Sequence, residues 1–263
     1  MSAHGSAHRR GPRPPEGLDH VFGVHALESL LERGEAPRAL WVQQGAAKRL
    51  QTIIRRARDG GAVVKEHPRE ALDQLTRGAA HQGVVAFCPP LVAESEASLM
   101  LKLKAWPHDT PPLLLVLDGV TDVHNFGACL RSADAAGAHG VIVAKDKAAP
   151  LNATVRKVAC GAAESVPVYQ VTNLARTLGA LKDAGVWITG TAGEADHSVY
   201  DIDFSGPVAL VMGAEGKGMR RLTRNACDYL AKLPMAGEVS SLNVSVATGI
   251  CLFEALRQRR LAS

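Results

Sequence analysis

Three short segments carry residues whose types and spacing could do chemistry. In the first, Asn125, Gly127 and Arg131 follow a strand-length apolar run, Leu113 to Leu117, that stops at Asp118-Gly119. The spacing predicts a helix opening at Asn125, whose amide can cap free backbone N–H groups while Gly127 admits a close neighbour. Arg131 then falls on the same helical side as Gly127 and Ala128, because residues three and four apart are neighbours. In the second, Val208-Ala-Leu-Val-Met-Gly213-Ala-Glu215-Gly-Lys-Gly-Met219, a buried-type strand runs into a glycine-rich loop with a single acid. In the third, from Leu233 to Gly249, an apolar strand ends in a loop and a small-residue helix. Ser241 and Asn243 supply uncharged hydrogen-bonding groups there. A glycine-rich loop after a strand first suggests a phosphate cradle. A dinucleotide fingerprint needs Gly-x-Gly-x-x-Gly and a P-loop needs Gly-x4-Gly-Lys-Ser/Thr. The loop at Gly213 has neither, and Glu215 would sit against the phosphates.

These segments need a scaffold, and the rest of the chain predicts one. From Leu113 onward, strands are expected at Leu113–Leu117, Val141–Ala144, Val186–Thr191, Val208–Met212 and Tyr229–Leu233. Helices are expected at Asn125–Ala136, Ala153–Cys160, Leu174–Ala184, Thr223–Cys227 and Asn243–Arg259. Apolar strands alternating with helices make an α/β fold with a mostly parallel sheet covered on both faces. Thr191-Ala192-Gly193 ends one such strand, where ligands of open α/β sheets usually sit. The last helix is apolar around most of its girth and must be buried. Its small residues Ser245, Ala247 and Gly249 permit close helix approach, either inside one chain or between two copies.

Ahead of this lies a smaller α/β unit, residues 18–88. Helices are expected at Val24–Leu31, Lys48–Ala57 and Arg69–Leu75, with strands at Ala39–Val42, Val63–Val64 and Gly83–Phe87. Lys48, Arg49, Arg55, Arg56 and Arg58 make a positive stretch, either an RNA contact or an ordinary solvated face. Residues 89–112, rich in proline, are expected to link the units, with a short helix between Ser98 and Trp106. Residues 1–17 are a basic tail expected to be disordered. Arg9, Arg10 and Arg13 either graze a phosphate backbone or merely solubilise the chain.

The 263 residues are 46% hydrophobic and only 4% aromatic, so Leu, Val and Ala must build the cores. A net charge of +4 leans toward an anionic partner without requiring one. Five scattered cysteines fit reduced thiols in the cytoplasm, and no apolar run reaches the roughly 20 residues that span a bilayer. The start of the chain is polar and basic, without a signal-peptide pattern. Glu194, Asp196 and His197 cluster as metal ligands do, yet no metal is expected.

Asn-x-Gly-x-x-x-Arg, Gly-x-Glu-Gly and Ser-Leu-Asn-Val-Ser recur here in one order, at Asn125–Arg131, Gly213–Gly216 and Ser241–Ser245. In that order they resemble the signature segments of SpoU-type (TrmH-like) RNA ribose 2′-O-methyltransferases of the SPOUT superfamily, over roughly Leu18 to Arg260. The resemblance implies a C-terminal SPOUT domain, residues 113–263, with a deep trefoil knot, preceded by a small L30e-like RNA substrate-binding domain. It implies S-adenosyl-L-methionine as cofactor, held near Thr191, Ala192, Gly193, Gly213, Leu233 and Leu242. Leu233 and Leu242 are otherwise plain core positions. Arg131 is implied as the catalytic residue, either a base toward the 2′-hydroxyl or a group that positions phosphate and stabilises the forming alkoxide. Asn125, Ser241 and Asn243 would orient the ribose and the guanidinium, and Glu215 would pair with an arginine or be a surface acid. The implied substrate is a guanosine of large-subunit (23S) ribosomal RNA, and the implied assembly is a homodimer through the C-terminal domain. A transfer-RNA ribose methyltransferase and a non-catalytic RNA-binding or ribosome-assembly protein are the competing readings.

Overall fold

A computed structural model describes residues 12–46, 48–107 and 110–262, which divide into two compact units between Pro90 and Leu91. Most of the basic tail, Arg9 and Arg10 included, lies outside the described residues.

The first unit contains β1 (Asp19–Phe22), α1 (Val24–Glu32), β2 (Ala39–Gln43), α2 (Gln51–Asp59), β3 (Val63–His67), α3 (Arg69–Thr76) and β4 (Val84–Cys88). Its sheet runs β1-β4-β2-β3, antiparallel except for the β2–β3 pair. Side chains alternate across a strand, and the two faces of this sheet are covered unequally. Leu40, Val42, Val84 and Ala86 pack under α1 and α2, whereas Trp41, Val85 and Phe87 meet only α3, through Ala71 and Leu72. Strand β1 was not expected from sequence; it alternates weakly and is fixed by pairing with the fully buried β4. The expected start of α2 also shifts. Residues 48–50 form a turn, so Lys48 and Arg49 leave the helical face. His81-Gln82-Gly83 explains why. The Gln82 carbonyl accepts from Arg49 Nη2 at 2.7 Å, and its Oε1 accepts from the Val24 N–H at 2.8 Å, capping α1. His81, itself buried, bridges Asp73 Oδ1 and the Gly83 N–H at 2.9 and 3.0 Å.

The second unit contains β5 (Glu94–Ser95), α4 (Glu96–Lys104), β6 (Leu113–Asp118), α5 (Val123–Ala135), β7 (Gly140–Ala144), α6 (Ala153–Ala159), α7 (Ala162–Ser165), β8 (Val168–Val171), α8 (Leu174–Asp183), β9 (Trp187–Thr191), β10 (His197–Ser198), β11 (Val208–Gly213), α9 (Arg221–Asn225), β12 (Tyr229–Lys232) and α10 (Val244–Ala262). The eight strands pair in parallel in the order β10-β12-β9-β11-β6-β7-β8-β5. Leu113, Leu115 and Leu117 pack with α5, α6 and α10, while Leu114 and Val116 pack with α4 and α8. This two-sided burial is the reason β6 is apolar at every position before Asp118. Within the segment expected to be a linker, β5 pairs with β8 and Leu99 of α4 is buried in the sheet's core. The prolines bound that helix instead of stiffening an open connection.

Helix α5 begins at Val123, two residues before the expected start. Asp122, not Asn125, is its cap, with Oδ1 accepting from the Asn125 N–H at 2.8 Å. Asn125 lies inside the first turn and its amide is free for other work. Gly127 does admit a close neighbour, but that neighbour is α6: a methyl there would stand 2.7 Å from Val158 Cβ. Helix α10 is not buried all round. Val244, Thr248, Cys251, Leu252 and Ala255 are buried, while Val246 and Phe253 remain 51% and 49% exposed.

Candidate active site

Strands β6, β9, β11 and β12 all end on one side of the parallel sheet, and the loops leaving β9, β11 and β12 enclose a cleft of about 470 Å³. Small-molecule sites are typically ~300–1,000 Å³. Thr191, Ala192, Gly193, Gly213, Leu233 and Leu242 line it, the six positions expected from sequence, together with Glu215 and Ser241. Much of the wall is main chain. The loop after β11 closes on itself through two hydrogen bonds between Ala214 and Gly218, at 2.8 and 3.2 Å. This fold-back demands glycine at 213, where an added methyl would lie 2.3 Å from Gly218 C and Met219 N. The Thr191 hydroxyl donates to the Val211 carbonyl at 3.2 Å, and the Ala192 N–H donates to Ala231 O at 2.9 Å. The cleft wall is therefore built before any ligand arrives.

At one end of the cleft the three segments converge. Glu215 Oε1 accepts from Asn125 Nδ2 at 3.2 Å, from the Val244 N–H at 3.1 Å and from Asn243 Nδ2. Asn243 Nδ2 also reaches Asn125 Oδ1 at 3.0 Å, and its Oδ1 takes the Ser245 N–H at 2.9 Å, capping α10. A carboxylate at a helix N-terminus is favoured by the helix dipole. Glu215 was expected to pair with an arginine or stand free at the surface. Among the described residues its partners are two amides and a helix end, so it joins the starts of α5 and α10 to the glycine-rich loop.

Arg131 lies on α5 beyond Asn125, exposed, with Nη1 donating to Cys160 Sγ at 3.6 Å. It is not among the residues lining the cleft. Ser241 lines the cleft and is exposed. Glu194, in the trio that resembled metal ligands, pairs with Arg224 at the cleft wall. Its own backbone N–H and the Arg224 guanidinium hold its carboxyl below the usual range. Among the described residues no cluster of three or more His, Cys, Asp or Glu is placed to hold a metal ion. In the first unit, Lys48, Arg49 and Arg55 are exposed and Arg56 is half-buried.

One pair was missed from sequence. Asp118, at the end of β6, is fully buried, and its two oxygens accept from the Arg220 N–H at 2.8 Å and Nε at 2.5 Å. Asp118 is in register with Gly213, so this ion pair fastens the far end of the loop beside its near end. The sequence signal was present: a charge closing an otherwise apolar strand needs a buried partner.

The comparisons agree with this architecture. The family model for the SpoU rRNA methylase family matches residues 112–253, and one for RNA 2′-O ribose methyltransferase substrate binding matches residues 20–92. The 23S rRNA (guanosine-2′-O-)-methyltransferase RlmB of Pseudomonas putida is 54% identical over 93% of this chain and 98% of its own length. The crystal structure of the SpoU methyltransferase AviRb from Streptomyces viridochromogenes, in complex with AdoMet, superposes with a TM-score of 0.74. It is 29% identical over 94% of this chain and 92% of that one. A TrmH/SpoU tRNA modifying enzyme from A. aeolicus, at 30% identity and a TM-score of 0.54, covers 64% of this chain and 85% of that one. With its signature segments gathered around one cleft, the chain belongs to the SpoU rRNA methylase family, with the SPOUT fold.

Proposed function

We propose that this chain methylates the 2′-hydroxyl of a guanosine ribose in 23S ribosomal RNA, using S-adenosyl-L-methionine. One observation carries the reading. A preformed cleft at the strand ends is tied, through the Asn125–Glu215–Asn243 hydrogen bonds, to the helix that bears Arg131. The main-chain wall suits a flat adenine read by its edge, and the missing side chain at Gly213 lets the loop fold back on itself to form that wall. The bound cofactor supplies a methyl group made electrophilic by its sulfonium. The chain's own residues do the rest by placement. Thr191, Ala192, Gly193, Gly213, Leu233 and Leu242 hold the donor, while Asn125, Ser241 and Asn243 orient the ribose.

A guanidinium keeps its proton in proteins, so Arg131 would hold the adjacent RNA phosphate and stabilise the forming alkoxide while the 2′-hydroxyl proton passes to solvent water. Its exposure suits this role, since the phosphate arrives with the substrate. Holding the oxygen in line at near-attack distance accounts for much of the rate.

Residues 18–88 serve as the RNA-binding domain, with Lys48, Arg49, Arg55 and Arg56 against the phosphate backbone, and residues 113–263, with β5 and α4 added to their sheet, as the methyltransferase domain. The exposed Val246 and Phe253, seven residues apart on one face of α10, form the core of a homodimer contact. The enzyme acts in the cytoplasm, where its RNA is made; among the described residues no helix is long and apolar enough to cross a membrane.

The test is transfer of labelled methyl from S-adenosyl-L-methionine to unmodified 23S rRNA and to tRNA, with the modified position mapped by primer extension. Labelling of a single 23S guanosine is expected. Labelling of tRNA alone would move the target to tRNA, and RNA binding without labelling would leave a non-catalytic protein.

A further inference from the structure

The first unit carries a groove that none of these roles uses. Two helices cover one face of its sheet and α3 alone covers the other, so the strip over β2 and β3 stays open. Side chains alternate along a strand, which sends Ala39 and Trp41 of β2 and Val63, Lys65 and His67 of β3 to this strip. The segment from Pro12 to Leu18 forms the opposite wall, and the space between is about 470 Å³. The groove has two chemical parts. Its floor is apolar and aromatic: the His67 ring lies 4.1 Å from that of Trp41, and Val63 is 57% exposed. Its rim is cationic: Arg13, Arg38 and Lys65 are all exposed, and no carboxylate is among the lining residues. His67 Nε2 is shielded from solvent and has no hydrogen-bond partner among the described residues, which is uncommon for a buried polar atom.

We propose that this groove binds an unpaired nucleotide of the RNA substrate, its base against His67 and Val63 and its flanking phosphates on Arg13, Arg38 and Lys65. An aromatic and apolar floor bordered by cations is the pattern that takes single-stranded nucleic acid, because every base has a stacking face and every linkage an anion. The chain's own tail is a poor occupant, since Arg9 and Arg10 would bring positive charge to a positive rim. The groove lies on the sheet face opposite α2, so it adds a second RNA contact to the phosphate contacts of Lys48, Arg49, Arg55 and Arg56. The proposal rests on the methyltransferase reading above for the identity of the RNA.

The experiment uses the full chain, in-vitro-transcribed 23S rRNA and labelled S-adenosyl-L-methionine. Arg38→Glu with Lys65→Glu should raise the KM for RNA at least about tenfold and flatten its dependence on log salt by about two. The KM for the methyl donor should stay put. His67→Ala should raise the RNA KM severalfold with no change in salt slope, because it removes a base contact and not a charge. Arg38→Gln with Lys65→Gln guards against misfolding of the charge-reversed protein and should give the same direction with a smaller effect. RNA carrying 4-thiouridine should photocrosslink to the peptide containing residues 63–67 in the parent protein. An unchanged RNA KM in both double variants, or a crosslink confined to α2, overturns the proposal. A change in sedimenting mass without a change in RNA KM overturns it too, and makes the open β3 edge a protein contact. Absence of methylation by the parent protein would instead refute the methyltransferase reading; the crosslink still judges the groove in that case.

Discussion

The cleft beneath the glycine-rich loop and the helix face carrying Arg131 are built on opposite plans. The cleft is over-determined: a self-closing loop, an ion pair buried on its Asp118 side and interstrand hydrogen bonds fix it without a ligand. Among the described residues Arg131 makes one weak hydrogen bond, 3.6 Å to a thiol, and its side chain is exposed. The difference teaches where preorganisation is useful. A small cofactor gains affinity from a rigid socket, because less freedom is lost on binding. A residue that must meet an RNA phosphate gains from a fixed helix and a free tip, since its partner arrives with the substrate. Asn125 links the two plans, as it sits on the Arg131 helix and bonds to the loop acid Glu215.

The sharpest way to break this contrast is Arg131→Ala. Single-turnover methyl transfer should fall about 10²–10³-fold, the usual loss when a charge-stabilising donor is removed. Calorimetric affinity for S-adenosyl-L-methionine should stay within about twofold, because the cleft contains nothing from Arg131. Equal loss of turnover and affinity would mean that the two regions are one. Gly213→Ala should do the reverse. The new methyl meets backbone at 2.3 Å, so the loop must open, and cofactor affinity should fall by about tenfold or more. At saturating cofactor, turnover should recover most of its value; if it does not, the loop also serves the reacting atoms.

Much of this was legible in the sequence, and the failures share a cause. Two-sided burial wrote β6, β7 and β11 as unbroken apolar runs, which is why their positions were predictable to within a residue. Gly213 was legible through the resemblance of its loop, and the folded chain supplies the reason, main-chain crowding that leaves no room for a side chain. What was not legible depended on partners distant in sequence. Strand β1 exists through pairing with β4, and β5 through pairing with β8. Asn125 looks like a helix cap until Glu215 and Asn243 are brought to it from far along the chain. For the same reason the Gln82 carbonyl that accepts from one nitrogen of the exposed Arg49 could not be read locally. Local chemistry names the donors, but only the folded chain decides who accepts.

Asp118→Asn sharpens the contrast at its hinge. The carboxylate is completely buried while Arg220 is 48% exposed, so water relieves part of the loss. A destabilisation of about 1–3 kcal/mol is expected, less than for a pair buried on both sides. Thermal unfolding should show it as a lowered Tm. Cofactor affinity should drop severalfold with the RNA KM unchanged, since the latch serves the loop and not α5. A fall in Tm with unaltered affinity would reduce the pair to a structural tie.

The smallest effect probes the free tip itself. Burial pushes the Cys129 thiol up to about 11 and the Cys227 and Cys251 thiols up to about 12, so all three stay protonated near neutral pH. Reaction with maleimide requires the thiolate and access to it. Cys88 is buried as well, which leaves Cys160, exposed at the end of α6, as the thiol that should react first. Peptide mapping after brief labelling at pH 7.5 should find it there before any other. Because Cys160 Sγ is the contact of Arg131 Nη1, the adduct should slow methyl transfer a fewfold while leaving cofactor affinity intact. Labelling that spares activity would show that the guanidinium needs no support from α6, and that its helix alone presents it to the RNA.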